Sequence, residues 1–107
     1  MTLVLGLTRT AKRIENTVEE ISEVVSIVNS LGMHARPAAS LVQTVLQFQS
    51  EVYLELDGNR VNAKSIMGLL TLAAARGTKV KVICKGADAQ QAMDAVRELI
   101  EAGFGED

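Results

Sequence analysis

Aromatic residues are nearly missing from this chain of 107 residues, which has two Phe, one Tyr and no Trp. It therefore has little on which to stack bases. Lys and Arg number 11 against 13 Asp and Glu, a net charge of −2. That balance excludes an electrostatic nucleic-acid binder. A single cysteine rules out an internal disulfide, and one Cys with one His cannot close a structural zinc site. Cys84 follows Val82 and Ile83 in a strand-like run, so it reads as a buried, inert thiol. No apolar run reaches membrane-spanning length, so no direct membrane insertion is expected. The start, Met1 to Leu7, lacks the basic region that precedes the apolar stretch of a signal peptide. The expectation is a cytoplasmic protein. No phosphate-binding P-loop and no nucleophile elbow is present. The length fits one domain with one modest core.

The only proline and the only histidine stand together, in Gly32-Met33-His34-Ala35-Arg36-Pro37-Ala38-Ala39. Pro37 fits the first turn of a helix, where a missing N–H costs nothing. It also disfavours a helical Arg36, which sets the expected helix start near this point. The free N–H groups of a first helical turn attract anions. A phosphate on or beside His34 would meet these donors and the Arg36 guanidinium. A lone histidine is by itself no site, but an imidazole offers a nucleophilic nitrogen near neutral pH. Nucleophilic histidines form covalent phosphoryl intermediates. Phosphoryl transfer asks mainly for positioning and positive charge, and the small residues Gly32, Ala35, Ala38 and Ala39 leave room for a partner to approach.

The rest of the chain reads as a series of short elements. Residues 1–22 carry an apolar run, Leu3 to Leu7, and then Ile14, Val18, Ile21 and Val25 at helical spacing. Thr17 with Glu20 has capping-box spacing. This segment fits an amphipathic helix, an added strand or a loose tail. Val24 to Val28 reads as a strand, Asn29 to Gly32 as a turn, and residues 36–48 as a helix with Ala38, Leu41, Val42, Val45 and Leu46 on its apolar face. Glu51 to Leu56 alternates as a strand, and Asp57-Gly58-Asn59 turns it into a short partner over Arg60 to Ala63. Ser65 to Ala75 is helix-compatible, weakened by Gly68. Lys79 to Lys85 alternates again. Asp88 reads as the N-cap of a last helix with Ala89, Ala92, Met93, Val96, Leu99 and Ile100 buried. The tail from Gly103 to Asp107 is expected to fray. The order β-α-β-β-α-β-α, with sheet faces of unequal polarity, predicts an α+β two-layer sandwich with a mostly antiparallel sheet.

Two motifs carry a resemblance. The octapeptide around His34 resembles the active-site motif of the HPr family, the histidine-containing phosphocarriers of the bacterial sugar phosphotransferase system. Val61-Asn62-Ala63-Lys64-Ser65-Ile66-Met67-Gly68 resembles that family's regulatory-serine motif. The resemblance covers residues 22–103, with residues 1–21 as an N-terminal extension and residues 104–107 as a polar tail. It implies an open-faced β-sandwich, four antiparallel strands under three helices. It implies that His34 takes a phosphoryl group on Nδ1 from phosphorylated enzyme I and passes it to a histidine of an enzyme IIA domain. In that comparison the protein is a stoichiometric carrier rather than an enzyme, and no cofactor or metal is implied. Arg36 matches the arginine that stabilises the phosphoryl group. Ala35, Pro37 and Ala38 shape the helix start that receives it.

Ser65 reads on its own as the N-cap of the helix beginning at Ile66. A phosphate there is compatible with a cap, because negative charge suits a helix start. The resemblance adds phosphorylation by an HPr kinase/phosphorylase, slower acceptance from enzyme I and, in some lineages, binding to a transcriptional regulator. Ile66, Met67 and Leu70 match the family's docking patch. Helical spacing cannot bury Ile66, Met67, Leu69, Leu70 and Leu72 together, so some must be exposed. Met67 is the best candidate for an adaptable contact. The alternative function is a regulatory HPr-like interaction protein in nitrogen or carbon signalling, without a major role in sugar uptake. A domain binding a metabolite non-covalently is a third reading, and the His34-Arg36 pair speaks against it. Leu3 to Leu7, if a strand, could pair with a sheet edge and promote dimers.

Overall fold

In a computed structural model of the chain, residues 20–106 are described. Four strands, β1 (Glu20–Ser26), β2 (Glu51–Leu56), β3 (Asn59–Asn62) and β4 (Lys79–Lys85), alternate with three helices, α1 (Ala35–Val45), α2 (Ile66–Thr71) and α3 (Ala89–Glu101). The sheet has the order β1-β4-β2-β3, and every pairing is antiparallel. Residue alternation decides which face is covered. Val80, Val82 and Cys84 of β4 pair with Val25, Glu23 and Ile21 of β1, and Leu54 and Val52 of β2 pair with Val82 and Cys84. That face is buried against the helices, whereas Val24, Lys81 and Lys85 on the other face are exposed. The result is the expected open-faced α+β sandwich.

The helices are amphipathic and bring one stripe each to this core. Ala38, Leu41 and Val45 of α1 are fully buried, as are Ala89, Ala92, Met93, Val96 and Ile100 of α3. These are helical repeats of three and four residues. Truncating a residue such as Leu41 to Ala would cost about 2–5 kcal/mol, the usual range for a packed leucine. The β2–β3 hairpin closes through Asp57 and Gly58, both at positive φ (52° and 81°). A two-residue turn of that hand matches the twist of the flanking strands.

Several expectations are corrected. β1 begins at Glu20 and ends at Ser26, not at Val28. Ile21, left open between helix and strand, thus joins Val25 in the strand. A spacing of four keeps two residues on one face under either period, so spacing alone could not discriminate. Leu3 to Leu7, Ile14, Thr17 and Val18 lie outside the described residues. α1 includes Arg36 despite the proline that follows it, and Leu46, expected on its apolar face, is exposed. α2 spans only Ile66–Thr71, because Ala73 turns into the left-handed region (φ 51°). That turn lets the Ala74 carbonyl accept the Met33 N–H at 2.8 Å. Asp88 holds the cap position of α3 but makes no side-chain bond to it. Its carboxylate accepts instead from the Gln49 and Ser50 N–H groups, each at 2.9 Å, and from the Ser50 hydroxyl. The tail does not fray over its described part. Gly103–Gly105 forms a short 3-10 turn, and Phe104 is buried against the core.

Candidate functional site

The loop from Ile27 to Met33 carries the candidate site, and backbone bonds fasten it at both ends. Ile27 N–H donates to Thr78 O at 2.8 Å, Gly77 N–H to Ile27 O at 2.7 Å, and Met33 N–H to Ala74 O. Gly32 sits at φ 69°, and a Cβ there would run into the Ala74 carbonyl oxygen. Glycine is therefore required twice over, for its backbone angle and for the close approach of the loop 72–78.

This pinned loop delivers His34 to the N-cap position of α1, in extended conformation (φ −111°, ψ −168°). The imidazole makes no capping bond to the helix. The first intrahelical bond runs from Ala38 N–H to His34 O at 3.0 Å. Pro37 occupies the third helical position and brings no N–H, so Ala35 and Arg36 supply the open donors of the first turn. Arg36 is exposed and has no ion-pair partner among the described residues. Ala35 is exposed, while Pro37 and Ala38 are buried and seat the helix on the core. The result is a cation, two open backbone donors and a half-exposed imidazole at one helix end. It is a place where an anion carried by the ring is met by positive potential.

Two residues that the sequence reading missed complete the site. Glu106 Oε1 lies 3.2 Å from His34 Nε2. The same oxygen accepts from Asn29 Nδ2 at 3.0 Å, and that nitrogen also donates to Gly32 O at 2.9 Å. Asn29 is almost fully buried, one of two buried polar residues among those described. By sequence Asn29 reads only as turn chemistry, and Glu106 as part of a frayed tail. The available signals were the apolar Phe104 inside a polar tail and an Asn that no solvent-exposed turn required.

Ser65 stands at the N-cap of α2, where its Oγ accepts the Gly68 N–H at 3.0 Å. After it, Ile66 and Met67 are exposed, Met67 at 72%. Leu70 is half-buried, packed against the core, and Leu69 is fully buried. The short helix therefore splits its apolar residues between core and surface. α2 packs against α1, so the exposed pair sits on the helical layer that also carries His34. Cys84 is far from chemistry of this kind. Burial, with smaller contributions from the Glu23 and Asp88 charges, pushes its thiol up to about 11. Among the described residues, no group of three His, Cys, Asp or Glu is arranged to hold a metal ion, and no helix is long and apolar enough to cross a membrane.

Comparison with known proteins agrees with this arrangement. Residues 21–102 match the family described as PTS HPr component phosphorylation site. The phosphocarrier protein HPr of Neisseria meningitidis is 46% identical over 86 residues, covering 80% of this chain and 97% of that protein. The HPr-like protein Crh of Bacillus subtilis is 43% identical over 81 residues, covering 76% of this chain and 95% of its own. The crystal structure of an HPr from Thermoanaerobacter tengcongensis superposes with a TM-score of 0.78 at 44% identity, covering 81% of this chain and 98% of that one. With the family's match spanning the loop, His34 and the Ser65 segment alike, the chain belongs to the HPr family of phosphocarrier proteins.

Proposed function

We propose that this protein is a phosphoryl relay component in which His34 accepts a phosphoryl group from phosphorylated enzyme I. It then passes the group to a histidine on a sugar-specific enzyme IIA domain. The observation that carries this reading is the half-exposed imidazole of His34, set at the open N-terminus of α1 without a capping bond. Arg36 and the Ala35 and Arg36 N–H groups stabilise the transferring phosphoryl group. Pro37 and Ala38 hold the helix start in place. An exposed, lightly held phosphoryl group suits a carrier, because a tightly gripped one would not leave. The protein acts stoichiometrically in the cytoplasm, with no turnover of its own and no cofactor. The carrier domain in this reading is wider than the expected 22–103, since it takes in β1 from Glu20 and the buried Phe104. Ile66, Met67 and Leu70 contribute the docking surface.

The test is transfer of labelled phosphate from phosphoenolpyruvate through purified enzyme I. The wild type acquires an acid-labile, hydroxylamine-sensitive phosphate, and His34→Ala acquires none. A folded wild type that stays unlabelled with a compatible enzyme I overturns the reading. A regulatory role in carbon or nitrogen signalling draws support from the 43% identity to a Crh protein and from the half-buried Ser65 at the start of α2, beside the exposed Ile66 and Met67. In that reading an HPr kinase/phosphorylase modifies Ser65, and the phosphoserine form is recognised by a transcriptional regulator. Deletion of the gene without loss of sugar uptake would favour it.

A further inference from the structure

We propose that Glu106, held by Asn29, is a positioning residue for His34: it binds the Nε2–H and so leaves Nδ1 as the nucleophile. The inference rests on the carrier role of His34 proposed above. A carboxylate oxygen only accepts, so a hydrogen bond between Glu106 Oε1 and Nε2 at 3.2 Å requires the proton on Nε2. The neutral ring then has its lone pair on Nδ1, which makes no hydrogen bond among the described residues. Which ring nitrogen carries the proton is generally set by the bond the other one makes.

The brace is itself supported. Both hydrogens of the Asn29 amide are used, one on Gly32 O at 2.9 Å and one on Glu106 Oε1 at 3.0 Å. Both partners are acceptors, which fixes the amide orientation. Asn29 thereby joins the loop that delivers His34 to a tail residue 77 positions away. Phe104, buried two residues before Glu106, anchors the tail. The Glu106 side chain is only 13% exposed against 35% for His34, so the carboxylate lies behind the ring while the ring faces outward.

The step balances without any proton moving on His34. The Nδ1 lone pair forms the new N–P bond as the bond from phosphorus to the donor group of phosphorylated enzyme I breaks, and that electron pair returns to the donor group. Nε2 keeps its hydrogen throughout. The His34 ring gains positive charge as the phosphoryl group arrives, and Glu106 faces that charge. Passing the phosphoryl group onward reverses these changes.

The test uses the full chain labelled with 15N-histidine, which reports a single residue because His34 is the only histidine. Wild type, Glu106→Gln and Glu106→Ala are compared by ring 15N shifts at a pH where the imidazole is neutral, and by the rate of phosphoryl acceptance. The wild type is expected to show one tautomer with Nε2 protonated. Glu106→Gln still offers an accepting oxygen and should retain that tautomer, with slower acceptance because the charge is gone. Glu106→Ala should show a mixed tautomer population and accept phosphate roughly tenfold more slowly. Asn29→Ala, which leaves Glu106 present but unheld, should fall between the wild type and Glu106→Ala. An unchanged tautomer and an unchanged rate in a folded Glu106→Ala overturn the inference while leaving His34 as the carrier. Persistent labelling of His34→Ala would overturn the carrier role itself.

Discussion

At the start of α1 the residue in the cap position, His34, makes no side-chain bond to its helix, whereas at the start of α2 Ser65 Oγ accepts the Gly68 N–H at 3.0 Å. Both are N-cap residues of helices in one layer, and both lie in motifs that resemble phosphorylation sites. They differ in what their side chains are free to do. Ser65 uses its oxygen locally to close a helix of six residues, which gains little from its own length. His34 begins a helix of eleven residues that is fixed by the buried Ala38, Leu41 and Val45 and needs no side-chain cap. Packing of α1 thus leaves both the ring and the open N–H groups of the first turn unused by the helix. One start closes its own helix with a hydroxyl, while the other is stabilised from a distance and leaves its imidazole half-exposed.

The largest predicted effects fall on the α1 start. His34→Ala removes the acid-labile label completely, with the fold unchanged by circular dichroism. Arg36→Ala is expected to slow acceptance from enzyme I by about a hundredfold, the scale seen when one preorganised charge-stabilising donor is lost. Rapid-quench transfer assays would measure it, and wild-type rates would remove Arg36 from the site. Gly32→Ala strikes the loop rather than the chemistry. A side chain there is strained by φ 69° and by the Ala74 carbonyl, so urea unfolding should show a loss of about 2–3 kcal/mol. A Gly32→Ala protein as stable as wild type would mean that the close approach of loop 72–78 does not hold the α1 start.

How much of this contrast is legible from sequence depends on the distance over which each interaction acts. The Ser65 cap, the Asp57-Gly58 turn and the alternation of Val80, Val82 and Cys84 are decided within a few residues, and all three are found where local chemistry predicts them. The position of His34 at a helix start is equally local. The brace on its ring is not, because Asn29 and Glu106 are 77 residues apart in the chain and meet only in the folded structure. Asp88 lies between these cases. Its place at the head of α3 follows from local pattern, but its carboxylate is drawn to Gln49 and Ser50 across the fold. Periodicity leaves Ile21 open for a different reason, since a four-residue step serves strand and helix alike.

A smaller effect separates the two roles of Ser65. Ser65→Ala leaves the Gly68 N–H without its acceptor and should cost about 1 kcal/mol in urea unfolding. Ser65→Asp supplies another good cap residue, so its stability should stay within a few tenths of a kcal/mol of wild type. If charge at this position governs docking, Ser65→Asp alone should slow acceptance from enzyme I. Equal slowing by both substitutions would trace the effect to the helix start and not to charge.

The third helix start gives the smallest effect and a pH dependence of known sign. The Ser50 hydroxyl and the Gln49 N–H hold the Asp88 carboxyl below the usual aspartate range. Its folded-state value is therefore lower than its value in the unfolded chain. Stabilisation from this carboxylate is fully present above the unfolded value, about pH 4, and fades as the pH falls through the folded value. Asp94 is likewise held down, by Gln90 and Arg97, and contributes to the same acid limb in both proteins. Urea midpoints followed from pH 6 to pH 2.5 should then drop less steeply for Asp88→Asn than for wild type, with the curves converging in acid. Parallel curves would mean that Asp88 holds the α1–β2 connection no better as an anion than as a neutral group. The comparison would then reduce to two helix starts, since α3, like α1, would depend on its buried stripe alone.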